Sequence, residues 1–377
     1  MAMKTVLDTA QGWPGEFSWA LGDLSCRFIP VSGGLGQGLV FLEMSSGPLS
    51  IKILPGRGMG IWKGICDGVP LGWESPVRGP VHPSNVELER RGGLGWLDGF
   101  DELLCRCGLA FNGPPGKDAT GYPLTLHGRI ANLPATALKI IHHEEQNRLI
   151  LEGTVVESSL FDSRLVLKTR YSLEAGSRIL AIEDQVSNLS STKAEMQLLY
   201  HLNIGRPILE KGAKLHLSVK EMSPQTPQAA AAIGDWETYK GPQSGFKEEV
   251  FLFRLFGDET GRTTALLAHP EGKLGFAVRF PLKDLPCFTI WKQTGAVEDA
   301  FVTGLEPATG FPNFKDFERD SGRVVNLAPG EEWSAAWELE AVTQEARLAQ
   351  IKSEVKRLSG HASVFPLPQK EFTPHGR

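Results

Sequence analysis

At 377 residues the chain is long enough for one large β domain or two ordinary ones. With 41% hydrophobic and 22% charged residues and a net charge of −5, it reads as an ordinary soluble globular protein without a basic patch for nucleic acid. No apolar run is long enough to span a bilayer, and Met1 to Gln11 lack the basic-then-apolar pattern of a secretory leader. The cysteines (Cys26, Cys66, Cys105, Cys107 and Cys287) are odd in number and lack zinc-finger spacing. The expected setting is a reducing cytoplasm, with neither nucleic acid nor membrane as partner. Cys105 and Cys107 would share one face of an extended segment, and without a second pair nearby they read as buried apolar thiols.

In chain order, Lys52 to Pro123 is rich in glycine, proline and tryptophan and weak in periodicity. It reads as strands interrupted by long loops that wall a pocket, or else as loops that cover a sheet edge. Period-two alternation then dominates from about residue 137 to about residue 342. Leu138–Ile141 and Leu149–Glu152 flank Glu145-Gln146-Asn147 as a hairpin, which leaves His142 and His143 as solvated neighbours of a charged turn. A second hairpin runs from Arg164 to Leu173, turns at Glu174–Ser177 and returns from Ile179 to Val186. Further strands are expected at Glu195–Asn203, Leu215–Val219, Val250–Phe256, Leu274–Phe280, Phe288–Lys292 and Ala335–Val342. The run Ala229–Ala232 suits a loop edge or a single helical turn.

Near the C-terminus Leu348, Ile351, Val355 and Leu358 share one face of a helix with Gly360 as its C-cap. His361 to Arg377 reads as a loosely docked or mobile tail. Many strands, little helix and no βαβ alternation predict an all-β fold. The expected layout is a large antiparallel β-sandwich over residues 1–342, then a C-terminal helix and tail over 343–377.

Three separate motifs carry residues able to move protons: Leu126-His127-Gly128-Arg129, Tyr200-His201-Leu202-Asn203 and Gly304-Leu305-Glu306-Pro307. Alternation places His201 on one strand face with Gln197, Leu199 and Asn203, toward an end broken by Gly205 and Pro207. A solvated surface histidine is the plainer alternative. Gly128 permits close approach beside His127, and Arg129 offers a fork of donors. Glu306 is expected between the strand-like Phe301–Thr303 and the turn Pro307–Gly310, at the mouth of a sheet beside Trp291 and Lys292. His216 should point outward, and His82 is held in reserve. Neither a phosphate loop, a nucleophile elbow nor an HExxH zinc motif is present.

These motifs, with Pro55-Gly56-Arg57-Gly58-Met59, Gly72-Trp73 and Leu104-Cys105-Arg106-Cys107-Gly108-Leu109, resemble the galactose mutarotase-like superfamily. Within it they resemble the aldose 1-epimerase-like branch grouped as domain of unknown function DUF4432, over roughly residues 20 to 342. The resemblance implies a large antiparallel sandwich with a sugar bound across an open concave face. It also implies that a glutamate takes the proton of the anomeric hydroxyl, a histidine protonates the ring oxygen and a second histidine holds the sugar. Motif by motif these are Glu306 as base, His201 as acid and His127 as the assisting group. The superfamily's sugar-gripping aspartate has no counterpart in these motifs, and Asp235 and Glu249 are the candidates for it.

Ring opening by proton transfer needs no cofactor and no metal. Trp73 or Trp291 would stack on the sugar, with Arg57, Arg129, Asn203 and Lys292 as polar contacts. Those cations leave an acidic sugar open as the small-molecule partner, and a homodimer is an option. Two rival readings are a metal-dependent sugar isomerase or lyase, with His127, His201 and Glu306 as ligands, and a non-catalytic carbohydrate-binding protein.

Overall fold

Alternation buries one side of each strand, so the strands gather into two large sheets that share one apolar core. The computed structural model describes residues 3–118 and 120–376; the outermost ends of the two expected regions, residues 1, 2 and 377, lie outside it. The nine-stranded sheet runs, in spatial order, Met3–Asp8, Ala135–His143, Arg148–Ser158, Arg164–Glu174, Ile179–Asn188, Glu332–Val342, Gly275–Pro281, Arg262–Ala268 and Lys214–His216. The thirteen-stranded sheet begins with the N-terminal meander Ser18–Leu21, Leu24–Pro30, Val40–Ser45, Leu49–Leu54 and Gly60–Cys66. It continues through Leu104–Cys107, Leu199–Ile204, Phe301–Ala308, Cys287–Thr294, Glu249–Leu255 and Val219–Pro224 to the short Ser363–Val364, while Val69–Leu71 pairs with Gly60–Cys66 off this path.

Leu104–Cys107 is the seam of that second sheet. It touches the N-terminal meander only at Ile61↔Leu104, yet pairs along its whole length with Leu199–Ile204. The long, Trp-rich stretch before it therefore lies across the outer face of the later strands. Residues expected to wall a pocket are thus carried to the strands that bear His201 and Glu306.

Two expected single strands are each divided. Glu195–Asn203 becomes Ala194–Met196, which pairs with Val325–Leu327, and Leu199–Ile204 in the large sheet. Between them Leu198 exchanges hydrogen bonds with Thr309, its N–H donating to Oγ1 at 3.0 Å and its oxygen accepting from the Thr309 N–H at 2.9 Å. Leu215–Val219 likewise divides into Lys214–His216 in one sheet and Val219–Pro224 in the other. An apolar run that crosses between two sheets keeps its hydrophobicity, so alternation alone does not reveal the crossing.

Four further expectations are corrected. His142 and His143 are buried, because Met3–Asp8 pairs along that edge and the Trp19 ring lies 5.3 Å from His142. Glu306 lies inside the strand Phe301–Ala308 rather than after it. The C-terminal helix, Glu345–Leu358, buries Leu348, Ile351 and Val355 as expected, but ends in extended backbone at Ser359 without a left-handed Gly360. The tail is held down: Ser363–Val364 pairs in parallel with Val219–Pro224, and Phe372 is fully buried against Phe311. Asn313 also donates to the Phe372 carbonyl at 2.8 Å. His216 does point away from the core, where the C-terminal helix half covers it.

Candidate active site

Strand alternation decides what reaches the outer face of the thirteen-stranded sheet. On Leu199–Ile204 the inner residues Tyr200, Leu202 and Ile204 join the core, so Leu199, His201 and Asn203 face outward. The same rule turns Val302, Gly304, Glu306 and Ala308 outward on the next strand, and Thr289 and Trp291 on the one after it. Cys105 and Cys107, both buried and unpaired, face outward on the seam strand and floor the site; Cys105 lies directly across from His201.

His201 Nε2 lies 3.2 Å from Glu306 Oε1, and these residues are 5% and 2% exposed. Gly304 makes their meeting possible: a Cβ there would come 2.3 Å from Glu306 Oε1 and 3.1 Å from His201 Cε1. On its far side His201 Nδ1 is 2.6 Å from Asn203 Oδ1, while Asn203 Nδ2 donates to the carbonyls of Glu102 at 2.9 Å and His201 at 3.1 Å. Burial holds the His201 imidazolium down, to a pKa of about 4, against a smaller upward pull from the Asn203 hydrogen bond. Burial drives the Glu306 carboxyl well above the ordinary glutamate range, and the nearby Glu248 charge adds to it. Both effects favour an uncharged pair.

His127 comes from a different kind of element. It sits in left-handed backbone, φ 57, followed by Gly128 at φ 70. The turn is held by His127 N–H on the Gly113 carbonyl at 2.9 Å and Gly108 N–H on the His127 carbonyl at 3.0 Å. Left-handed backbone costs a non-glycine residue on the order of 1–3 kcal/mol, which the surrounding bonds must offset. Gly128 is required because a Cβ there would meet the Phe111 and Gly108 carbonyls at 2.4 and 2.5 Å. The turn sets the His127 ring 5.8 Å from that of His201, with Nδ1 3.3 Å from Asn112 Oδ1. Burial, then the neighbouring His201, lower its pKa to about 3.

Aromatic rings close the site. Trp96 lies 4.7 Å from the His127 ring, Phe100 5.0 Å and Trp291 5.4 Å from the His201 ring. Trp291 is half-buried and donates to Glu248 Oε2 at 2.8 Å, so it stands at the open side together with His127. Trp73 stands behind, its ring on Phe100 at 5.2 Å and its Nε1 donating to the Glu102 carbonyl at 3.1 Å.

The expected cations are elsewhere. Lys292 follows Trp291 by one residue and so points through the sheet to the other face, where Nζ donates to the Thr238 carbonyl at 3.1 Å and lies 4.5 Å from the Tyr239 ring centre. The strand period forbids Trp291 and Lys292 from sharing a site. Asp235 and Glu249, the candidate sugar-gripping acids, line that same small cleft around Lys292. Arg57 is 2% exposed and consumed by structure, donating to Glu102 Oε1 at 2.7 Å, Asn132 Oδ1 at 2.9 Å and the Val81 and Gly99 carbonyls at 3.0 Å. Arg129 is exposed and lends its charge to Glu157. Asn203 has its amide fully engaged by protein groups.

In their place the fold brings in groups the sequence reading passed over. Trp96 Nε1, Asn112 Nδ2, Thr289 Oγ1 and Glu306 Oε1 are buried polar atoms without a well-formed hydrogen bond. Thr289 was within reach of inference, since it pairs directly across from Glu306 and shares the face of Trp291. Trp96 comes from the short 3-10 helix Gly95–Gly99 and Asn112 from irregular backbone, and no periodicity points to either. Among the described residues, no three His, Cys, Asp or Glu side chains are gathered so as to hold a metal ion. Nor is any helix long and apolar enough to cross a membrane.

A family model described as Domain of unknown function (DUF4432) matches residues 36–341. A Klebsiella pneumoniae protein, a "putative aldose 1-epimerase", superposes with TM-score 0.92 at 29% identity, over 98% of this chain and 99% of that one. A galactose mutarotase-like protein from Clostridium acetobutylicum shares 16% identity with TM-score 0.58, over 85% of this chain and 99% of that one. No curated protein matches the chain. The fold is the galactose mutarotase-like antiparallel sandwich.

Proposed function

We propose that this chain, which belongs to the DUF4432 family, interconverts the anomers of a small sugar by acid–base ring opening. The observation that carries this reading is the buried contact of His201 Nε2 with Glu306 Oε1 at 3.2 Å, beside a second histidine and under aromatic rings. Ring opening requires one group to accept the O1 proton while another donates to the ring oxygen. A carboxylate and an imidazolium in contact can do both within one bound sugar. Glu306 takes the proton from O1, His201 gives one to the ring oxygen, and the C1–O5 electron pair leaves with that oxygen as C1=O1 forms. Rotation about C1–C2 and the reverse transfers close the ring on the other face.

In this reading His127 holds a sugar hydroxyl and Trp291 offers an apolar face at the open side. Trp96 Nε1, Asn112 Nδ2 and Thr289 Oγ1 supply neutral hydrogen-bonding groups that lack good partners without a ligand. Lys292 and Arg57 are engaged away from His201 and Glu306, Arg129 is exposed with its charge acting on Glu157, and Glu248 stands at the edge of the site. An uncharged sugar therefore suits the site better than an acidic one. The metal-ligand alternative finds no gathered donor set among the described residues.

The test is an exchange-NMR screen of neutral aldoses, uronates and sulfo-sugars, in which the protein accelerates α–β interconversion of at least one. Binding of sugars with no acceleration for any of them would favour the carbohydrate-binding alternative.

A further inference from the structure

The amide of Asn203 has only one workable orientation. Its Nδ2 lies 2.9 Å from the Glu102 carbonyl oxygen and 3.1 Å from that of His201, and carbonyl oxygens only accept. That atom must therefore be the NH2 group, which makes Oδ1 the amide's own carbonyl oxygen. Oδ1 lies 2.6 Å from His201 Nδ1. Because Oδ1 also only accepts, Nδ1 carries a hydrogen. A neutral imidazole with hydrogen on Nδ1 has a bare lone pair on Nε2. Nε2 is the atom 3.2 Å from Glu306 Oε1, so a hydrogen shared between them comes from the carboxyl group.

The anchor behind Asn203 is itself fixed. Glu102 is 1% exposed, and its carboxylate receives Arg57 Nε at 2.7 Å and the Asp101 N–H at 3.1 Å. Its carbonyl accepts from both Asn203 and Trp73. Arg57, from a turn far from the His201 strand in sequence, thereby helps hold the carbonyl that orients the amide.

We propose that Asn203 is a positioning residue that locks His201 as the Nδ1–H tautomer, so that the bare lone pair of Nε2, 3.2 Å from Glu306 Oε1, is open to a proton from the Glu306 carboxyl group. Its catalytic consequence rests on the anomer-exchange reading; the tautomer belongs to the free protein and can be observed without any sugar. Transfer of the Glu306 proton to Nε2 produces the carboxylate and imidazolium that the reaction needs. Ring opening then returns a proton from O1 to Glu306 and passes the Nε2 proton to the ring oxygen. The pair is left as carboxylic acid and neutral imidazole, ready to close the ring by the reverse steps, and no proton is exchanged with solvent.

The experiment is long-range 1H–15N correlation on the full-length protein labelled with 15N-histidine at pH 7, with His201 assigned by loss of its signals in His201→Gln. The expected pattern is a protonated Nδ1 and an unprotonated Nε2. A protonated Nε2, alone or in an imidazolium, would overturn the proposal. In Asn203→Ala the hydrogen is expected to leave Nδ1, with kcat down on the order of tenfold or more, KM little changed and the pH profile displaced. A variant with the new tautomer and unchanged kcat would overturn the positioning role while leaving the anomerase reading intact. If Asn203→Ala does not fold, the wild-type spectrum still decides the tautomer. Lack of anomer exchange by the wild type would overturn the catalytic half alone.

Discussion

Two buried ionisable pairs lie on opposite faces of the thirteen-stranded sheet, one carried by Arg106 of the seam strand and the other beyond its neighbour Cys105, which faces His201, and they are built to opposite rules. Arg106 points inward and bridges the sheets, its Nε and Nη2 on the two oxygens of Asp184 at 2.6 and 2.9 Å. Its remaining donors reach Thr169 Oγ1 at 2.8 Å and, through Nη1, the Tyr171 hydroxyl and Met59 carbonyl at 3.0 Å. All five guanidinium hydrogens have acceptors, so the Arg106 side of the pair is saturated in the core. Outward, past Cys105, His201 and Glu306 meet with an incomplete shell. Glu306 Oε1, Thr289 Oγ1, Asn112 Nδ2 and Trp96 Nε1 have no good partner. A saturated pair can only hold shape, whereas an unsaturated one keeps capacity for something that arrives later.

The sharpest break between the two comes from deleting one charge in each. Glu306→Gln is expected to lower anomer exchange by about a hundredfold to ten-thousandfold while leaving sugar binding largely intact. His201→Asn should cost a comparable factor. Neither should lower the urea midpoint much, because Glu306→Gln removes an acid that burial already disfavours as an anion. Arg106→Met should do the reverse. Leaving Asp184 buried without its partner costs about 3–5 kcal/mol of folding stability, and any protein that remains folded should keep its exchange rate. Loss of exchange in folded Arg106→Met, or collapse of the fold in Glu306→Gln, would erase the distinction.

Acid titration separates the pairs next. The pKa values of His201 and His127 are lowered from 6.5 to about 4 and about 3, so below pH 6.5 the unfolded chain binds more protons. Buried as neutral groups they carry no charging penalty above pH 6.5, and the fold loses stability as pH falls through that window toward the folded values. For His201 a shift of this size corresponds to roughly 3 kcal/mol. Glu306 has the opposite sign: its raised carboxyl pKa means stability is lost as pH rises above the ordinary glutamate value. Denaturant midpoints measured against pH should show a shallower acid limb in His201→Gln than in the wild type. An unchanged limb would mean that the site histidines are not buried as neutral groups.

The sequence made the two pairs unequally visible. His201 and Glu306 stood in short motifs, and alternation assigned the outward face of the His201 strand correctly even though the expected strand proved to be two. The same alternation, applied to Trp291 and Lys292, rules out placing both in one pocket, and Lys292 is found on the other face. Arg57 and Asn203 were legible as polar residues in telling motifs, but their partners lie 45 and 101 residues away in Glu102, and no local pattern reveals that both are consumed by it. Arg106 was seen only as part of a motif, because its meaning depends on Asp184, 78 residues further along. Periodicity tells which way a side chain points. What it meets is set by pairing between distant strands, and at Trp96 and Asn112 by a short 3-10 helix and a loop.

The finest difference concerns a single hydroxyl. Thr289 is fully buried, pairs across from Glu306 on the outward face, and has no partner for Oγ1. Thr289→Val keeps the shape and removes that group. If the hydroxyl were structural, its loss would lower stability. Being unpartnered, it already carries its desolvation cost in the free protein, so the valine variant should be as stable as the wild type or slightly more so. A sugar that hydrogen-bonds Oγ1 should feel the loss instead, by about 0.5–1.5 kcal/mol, which is up to roughly a tenfold rise in KM with kcat little altered. Saturation kinetics by exchange NMR and a urea titration on the same variant would read both quantities. A drop in stability with unchanged KM would place Thr289 with Arg106, among the groups that only hold the sheets together.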